Sequence, residues 1–209
     1  MNDQAIYIAT SNAGKLRDFA AAARVDSIEV LPLPDFVALP TVEEDGATFE
    51  ANARKKAEHY SALAPGRLLL ADDSGLEVAA LGGAPGVYSA RFAATSATLG
   101  NAPDEATNQK LLSQLAGKSD RSARFVAVIA AACDGTTLAT FTGEVDGEIA
   151  ASPRGSAGFG YDPLFIVASK AKTMAELSAE EKAAISHRGR AFRAFLQWYR
   201  AQRPTFARL

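Results

Sequence analysis

Leu68-Leu69-Leu70-Ala71 runs directly into Asp72-Asp73-Ser74-Gly75, and this junction constrains the chain more than any other stretch. Four apolar residues in a row fit a strand covered on both faces, and Gly75 permits a sharp turn just after the polar group. The junction therefore predicts a buried strand that ends by delivering acid to a cleft, since ligands of open α/β sheets sit beyond the carboxyl ends of strands. Neighbouring strand side chains point to opposite faces, so Asp72 and Asp73 should not share one job. One can orient while the other meets a metal or water. Taken alone, Asp-Asp-Ser-Gly also reads as a plain turn.

A chain of 209 residues is long enough for one large domain or two small lobes about a cleft. With 48% hydrophobic and 22% charged residues, it has the balance of an ordinary globular protein. A net charge of -2 argues against a broad nucleic-acid-binding face, while a small anionic ligand is still allowed. No apolar run approaches the length of a membrane span and no leader pattern opens the chain, which predicts a cytoplasmic protein with no membrane partner. The single Cys133 lies in an apolar run and reads as a small buried core residue. With only two histidines and one cysteine, any metal must be held by oxygen, pointing to magnesium with manganese as a substitute.

Along the chain, Ala5 to Thr10 reads as an opening strand. Ser11-Asn12-Ala13-Gly14-Lys15 then leads into a helix with Leu16, Phe19, Ala20 and Ala23 at helical spacing. Free N–H groups at that helix start beside Lys15 suit phosphate. The loop is not of the Walker A type, which needs a glycine where Ala9 stands and Ser or Thr where Leu16 stands. A second strand, Ile28 to Leu33, precedes the acidic loop Glu43-Glu44-Asp45-Gly46, after which Thr48 can cap a helix bearing Phe49, Ala53, Ala57 and Tyr60. Asn52 and Lys56 share one face of that helix.

Gly82-Gly83 and Pro85-Gly86 predict a tight, irregular connection. Pro103 to Leu115 reads as a helix that packs and carries no chemistry. Phe125 to Ala132 and Thr137 to Thr142 flank Asp134-Gly135, a strong hairpin signal, and Asp146-Gly147 reads as another turn. The glycine loop around Phe159, Gly160, Tyr161 and Asp162 precedes a strand from Leu164 to Val167; exposed aromatics on such a loop can stack on a base. Ser178 with Glu181 forms a capping box for a helix bearing Lys182. Past Ser186-His187-Arg188, the stripe Ala191, Phe192, Phe195, Leu196 and Tyr199 faces a core, Trp198 packs beside it, and Pro204 marks the helix end. Without repeat or linker, residues 1–209 read as one unit.

Taken in order, Thr10 through Lys15, Phe49 through Ala57, Ala71 through Leu76, Gly82 through Arg91, Gly158 through Pro163 and Ser186 through Arg188 resemble the inosine triphosphate pyrophosphatases. The resemblance spans nearly the whole chain. It implies an elongated mixed α/β sheet with flanking helices and two lobes around a central nucleotide cleft. It also implies a homodimer that hydrolyses nonstandard purine triphosphates (ITP, dITP, XTP) to monophosphate and pyrophosphate with magnesium. The metal and base positions of the family match Glu44 and Asp73. Its triphosphate-binding positions match Thr10, Ser11, Asn12, Ala13, Gly14, Lys15, Asn52, Lys56 and Ser74. Its base-recognising positions match Phe159, Gly160, Tyr161, Asp162, Lys182, His187 and Arg188. Ser11 departs from the family, which often has glycine there. The part played by Asp72 and the choice between Glu43 and Glu44 stay open. Two other readings are a modified-pyrimidine triphosphate pyrophosphatase and a silent nucleotide-binding module.

Overall fold

The computed structural model describes residues 5–24, 28–94 and 101–206. β1 (Ile6–Ile8) leads through the polar loop into α1 (Ala13–Arg24), and β2 (Val30–Pro32) returns beside β1. Then come α2 (Phe49–Ala62), β3 (Leu69–Val78), α3 (Asp104–Gln114), β4 (Ser122–Cys133) and β5 (Thr136–Ile149). β6 (Phe165–Val167), α4 (Ala179–Ile185) and α5 (His187–Phe206) complete the order. The sheet runs β2-β1-β3-β4-β5-β6, with β1 parallel to both neighbours and every later pairing antiparallel. This is the mixed α/β sheet expected. Pro32 sits on the edge strand β2, where its missing N–H costs no ladder bond.

One expectation is overturned at the centre. The chain does not turn at Asp-Asp-Ser-Gly; β3 runs through it as a ten-residue strand, paired with β4 from Leu69↔Ala132 to Val78↔Ala123. Antiparallel pairing on the β4 side continues the ladder, whereas β1 pairs only as far as Ile8↔Leu70. The carboxylates thus lie beyond the carboxyl end of β1, in the middle of β3. Gly75 is needed for close approach and not for turning: a Cβ there would meet the Ser89 hydroxyl, the Gly86 carbonyl oxygen at 2.5 Å and the Phe49 ring at 2.9 Å. Gly147 is likewise inside β5, where a side chain would run into Ile166 of β6 and the Phe165 ring. The Asp134-Gly135 hairpin forms as expected, both residues taking positive φ (50° and 78°).

Alternation along β3 sorts the core. Leu70 faces a cluster with Phe19 of α1 and Phe192 and Phe195 of α5, while Leu69 and Ala71 face Phe49, Ala53 and Ala57 of α2. Farther along, Leu76 and Val78 enter a separate core with Leu111 of α3, Phe125, Phe165 and Met174. Two cores therefore close over the β1 half of the sheet and a third over the other half, with the polar centre of β3 between them. Thr48 caps α2 by accepting from Ala51 N–H at 3.1 Å, and the Ser178–Glu181 capping box is present. α5 continues past Pro204 to Phe206, since proline removes one amide donor but keeps a helical φ. Cys133 is half-buried at the end of β4 and not a core residue.

Candidate active site

The alternation that sorts the core also sorts the acids. Asp72 continues the Leu70 face and meets α1 and α5; Asp73 continues the Ala71 face and meets α2.

On the α2 side, Asn52 donates to Asp73 Oδ2 at 2.9 Å, and Lys56 Nζ stands 3.5 Å from Asp73 Oδ1 and 2.7 Å from Glu44 Oε2. The choice between the two glutamates falls to geometry: Glu44 faces Lys56 and lines the cleft, while Glu43 is exposed. Burial pushes the Asp73 carboxyl above its ordinary value despite the opposing Lys56 charge. Lys56 is also buried, but Asp73 and Glu44 outweigh that cost and raise its pKa. Asn52 does not line the cleft. Its carboxamide is engaged at both ends, since Oδ1 accepts from Gly46 N–H at 2.8 Å, and it ties the Glu44 loop to Asp73 from behind. Arg91 holds the same loop by donating to the Glu44 carbonyl at 2.8 Å.

On the other side, β1 hands the chain to α1 through Thr10 to Asn12. Asn12 Oδ1 accepts from Lys15 N–H at 3.0 Å, fixing the first turn, and Lys15 Nζ reaches Asp72 Oδ1 at 3.0 Å. Ser11 does not have a positive φ, so the backbone conformation of the loop does not require glycine there. Burial lowers the pKa of Lys15, with Asp72 opposing. Asp72 is the buried hub of this face. Burial disfavours its charge, yet Lys15, Arg188 and Lys56 together hold the carboxyl well below the usual range. Its Oδ1 is in ion-pair contact with Lys15 but lacks the alignment of a hydrogen bond.

From Asp72 a line of alternating charges crosses the floor of the cleft. Arg188 Nη1 donates to Asp18 at 2.7 Å, Asp18 Oδ1 lies 3.2 Å from Lys182 Nζ, and Lys182 Nζ donates to Asp162 Oδ2 at 2.7 Å. Asp18 is a site residue that sequence reasoning missed; its signal was an acid three positions after Lys15 on the same face of α1. His187 is buried and stacked on Phe125 (4.7 Å between centroids, 17° between planes), and burial with Arg188 and Lys182 nearby drives its pKa well below 6.5. The Phe159 ring lies over Lys182 (5.1 Å) and Arg188 (5.7 Å) and against Gly14, where a Cβ would sit 2.7 Å from the ring carbons.

These groups line one cavity of about 380 Å³, a volume suited to a small-molecule ligand. Of the residues expected at the site, Ala13, Gly14 and Asn52 stand behind the lining and the others reach it. Among the described residues the lining carries Lys15, Lys56, Arg91, Lys182 and Arg188 against Glu44, Asp72, Asp73, Asp104 and Asp162. A polyphosphate entering so balanced a cavity needs added positive charge. The donors fit a hard divalent cation: Glu44 and Asp73 already flank one cation, the Lys56 ammonium, and magnesium is commonly held by one or two carboxylates with phosphate and water. The arrangement can therefore bind a metal-bound polyanion at one end and a small planar group beside Phe159 at the other.

The Ham1 family model matches residues 6–198. The chain is 52% identical over 194 residues to the dITP/XTP pyrophosphatase of Acidobacterium capsulatum, covering 91% of this chain and 96% of that protein. It is 52% identical over 188 residues to the protein of the same name from Geobacter sulfurreducens, covering 89% and 92%. The solved structure of the Staphylococcus aureus Ham1 protein superposes with a TM-score of 0.79 at 42% identity, covering 95% of this chain and 100% of that one. The resemblance carried by the ordered motifs is thus borne out over almost the whole length, and the chain belongs to the Ham1 family.

Proposed function

We propose that this protein hydrolyses nonstandard purine nucleoside triphosphates of the dITP and XTP class, with ITP, to the nucleoside monophosphate and pyrophosphate, and so cleanses the nucleotide pool. One observation carries the reading: a single cleft joins the Asp73–Lys56–Glu44 group to Lys15 at one end and to the Phe159 loop at the other. The relatives named dITP/XTP pyrophosphatase support the substrate class.

In this reading Lys15, Lys56 and the Thr10–Asn12 loop take the triphosphate, with Ser74 beside them, its hydroxyl donating to Asp72 and accepting from Arg188. Glu44 and Asp73 would hold magnesium, with manganese able to substitute. When bound, the metal neutralises charge on the phosphate oxygens and lowers the pKa of its water. Asp73 orients the attacking water and accepts its proton, and Asn52 keeps the carboxylate aimed by holding Oδ2. The water oxygen bonds to the α-phosphorus, the bond from that phosphorus to the bridging oxygen breaks, and pyrophosphate leaves with the electron pair. No covalent enzyme intermediate is required. A homodimer belongs to the same reading and rests on the family resemblance, and a cytoplasmic setting is proposed beside it.

The test is purified protein with magnesium and a triphosphate panel, with products identified. ITP, dITP and XTP should each yield monophosphate and pyrophosphate. Release of diphosphate and inorganic phosphate, or equal turnover of ATP, overturns the assignment.

A further inference from the structure

The loop that carries Phe159 is fixed on one side of the cleft and reaches across to the other. α3 is rooted by the fully buried Leu111 in the core that holds Leu76 and Val78. Asp104 and Asn108 stand four residues apart and so share a face of that helix. Asp104 Oδ2 accepts from Gly160 N–H at 2.6 Å, and Asn108 Nδ2 donates to Gly160 C=O at 3.0 Å. The two peptides flanking Gly160 are therefore both held from α3, and Gly160 itself takes a left-handed φ of 61° that a side chain would resist. Farther on, the Tyr161 hydroxyl donates to Ser89 C=O at 3.0 Å, and Asp162 Oδ2 accepts from Phe159 N–H at 2.9 Å. Across the cleft, the Phe159 ring rests on Gly14 at the start of α1.

We infer that Asp104 and Asn108 are positioning residues for base binding: α3 grips the Gly160 peptides and sets the height of the Phe159 ring above the floor of the cleft. This rests on the proposed purine triphosphate function. Neither side chain needs to touch the substrate. A charge-assisted bond to a backbone N–H is among the stronger single hydrogen bonds, and losing both contacts frees the loop to lift from Gly14. Asn108 is itself buried, so its amide has no bulk water to fall back on.

The experiment compares wild type, the double variant Asp104→Ala/Asn108→Ala, and both in a Phe159→Ala background. It measures kcat/KM for ITP and inhibition by inorganic tripolyphosphate. In the wild-type background the double substitution should lower kcat/KM for ITP at least tenfold, chiefly through KM, with tripolyphosphate inhibition changed less than threefold. In the Phe159→Ala background the same substitutions should cost less than threefold, because the ring through which they act is gone. Asp104→Asn, which keeps an acceptor for Gly160, should recover most of the loss. Equal losses in both backgrounds, or a parallel tenfold loss of tripolyphosphate binding, overturn the inference. Should the double variant melt near the assay temperature, Asp104→Ala alone carries the same comparison. A wild type that does not turn over ITP overturns the parent reading instead; ITP binding by calorimetry in the same variants then decides the loop inference.

Discussion

Arg188 directs two of its nitrogens at one oxygen: Nε and Nη2 both stand 3.2 Å from Asp72 Oδ2. The remaining capacity is also committed, with Nη1 donating to Asp18 and Nη2 to the Ser74 hydroxyl. Both partners are almost wholly buried. Removing one charge of such a pair strands the other in a poorly solvated site, which costs on the order of 3 kcal/mol or more. Asp72→Asn should therefore lower stability by that amount in urea denaturation, and lower activity as well. A midpoint within experimental error of wild type would deny Asp72 its place as the hub of this face.

Asp73 should behave differently although it is the next residue. Its face carries Asn52, Lys56 and the second carboxylate Glu44, so neutralising Asp73 relieves one like-charge contact as it removes one attraction. Asp73→Asn should keep the wild-type stability to within about 1 kcal/mol and lose nearly all turnover, because in the proposed mechanism the water would lose its proton acceptor and the metal a ligand. Retention of more than about a tenth of wild-type kcat, a deficit of only about 1.4 kcal/mol, would remove Asp73 from the reaction.

His187 supplies a pH prediction. Burial, then the charges of Arg188 and Lys182 and more weakly Lys15, hold it neutral against the opposing pull of Asp72. A histidine with a depressed folded pKa takes up its proton more readily in the unfolded chain. Its share of stability is therefore complete above about pH 6.5 and is lost progressively as the pH falls below that value toward the folded pKa. His187→Gln should flatten the fall of stability between about pH 6.5 and 5, where a full proton difference amounts to about 1.4 kcal/mol per pH unit. Melting curves with the same acid slope in both proteins would show that His187 does not carry this term.

The opposite facing of Asp72 and Asp73 was legible because strand alternation is local and needs no knowledge of the fold. Asp134-Gly135 was legible for a similar reason, since its turn is defined by two residues. Gly75 and Gly147 misled because glycine looks alike in a turn and in a strand that another backbone crosses closely, and only the tertiary neighbours Ser89 and Ile166 tell the cases apart. Asp104 and Asn108 were illegible as site residues because their partner Gly160 lies more than fifty positions away, and Asp18 offered only its spacing from Lys15, its partner Arg188 being remote in sequence. The motifs nearest the substrate end of the cleft were readable in order, while the residues that hold those motifs were not.

Base selection is the sharpest test, and the geometry divides it between two cations that the sequence placed together. Arg188 is spent on Asp72, Asp18 and Ser74, so it underpins the floor of the cleft and has little left to offer a purine. Lys182 has three N–H donors and meets two acceptors, Asp162 Oδ2 at 2.7 Å and Asp18 Oδ1 at 3.2 Å, which leaves one donor near the Phe159 ring; in the proposed function that donor would serve the six-position oxygen of hypoxanthine or xanthine. Adenine presents an amino group there and leaves that buried donor unmatched. Sites built on such hydrogen bonds can reject the wrong analogue by as much as about 10⁴-fold. ITP, dITP and XTP should thus outrun ATP by at least about a hundredfold in kcat/KM. Lys182→Ala should remove most of that ratio by slowing the oxo bases selectively, whereas Arg188→Ala should slow ITP and ATP together and lower the melting temperature. Both variants would be assayed at one magnesium concentration. An unchanged ITP-to-ATP ratio in Lys182→Ala, or a collapse of that ratio in Arg188→Ala at wild-type stability, would reverse the two roles.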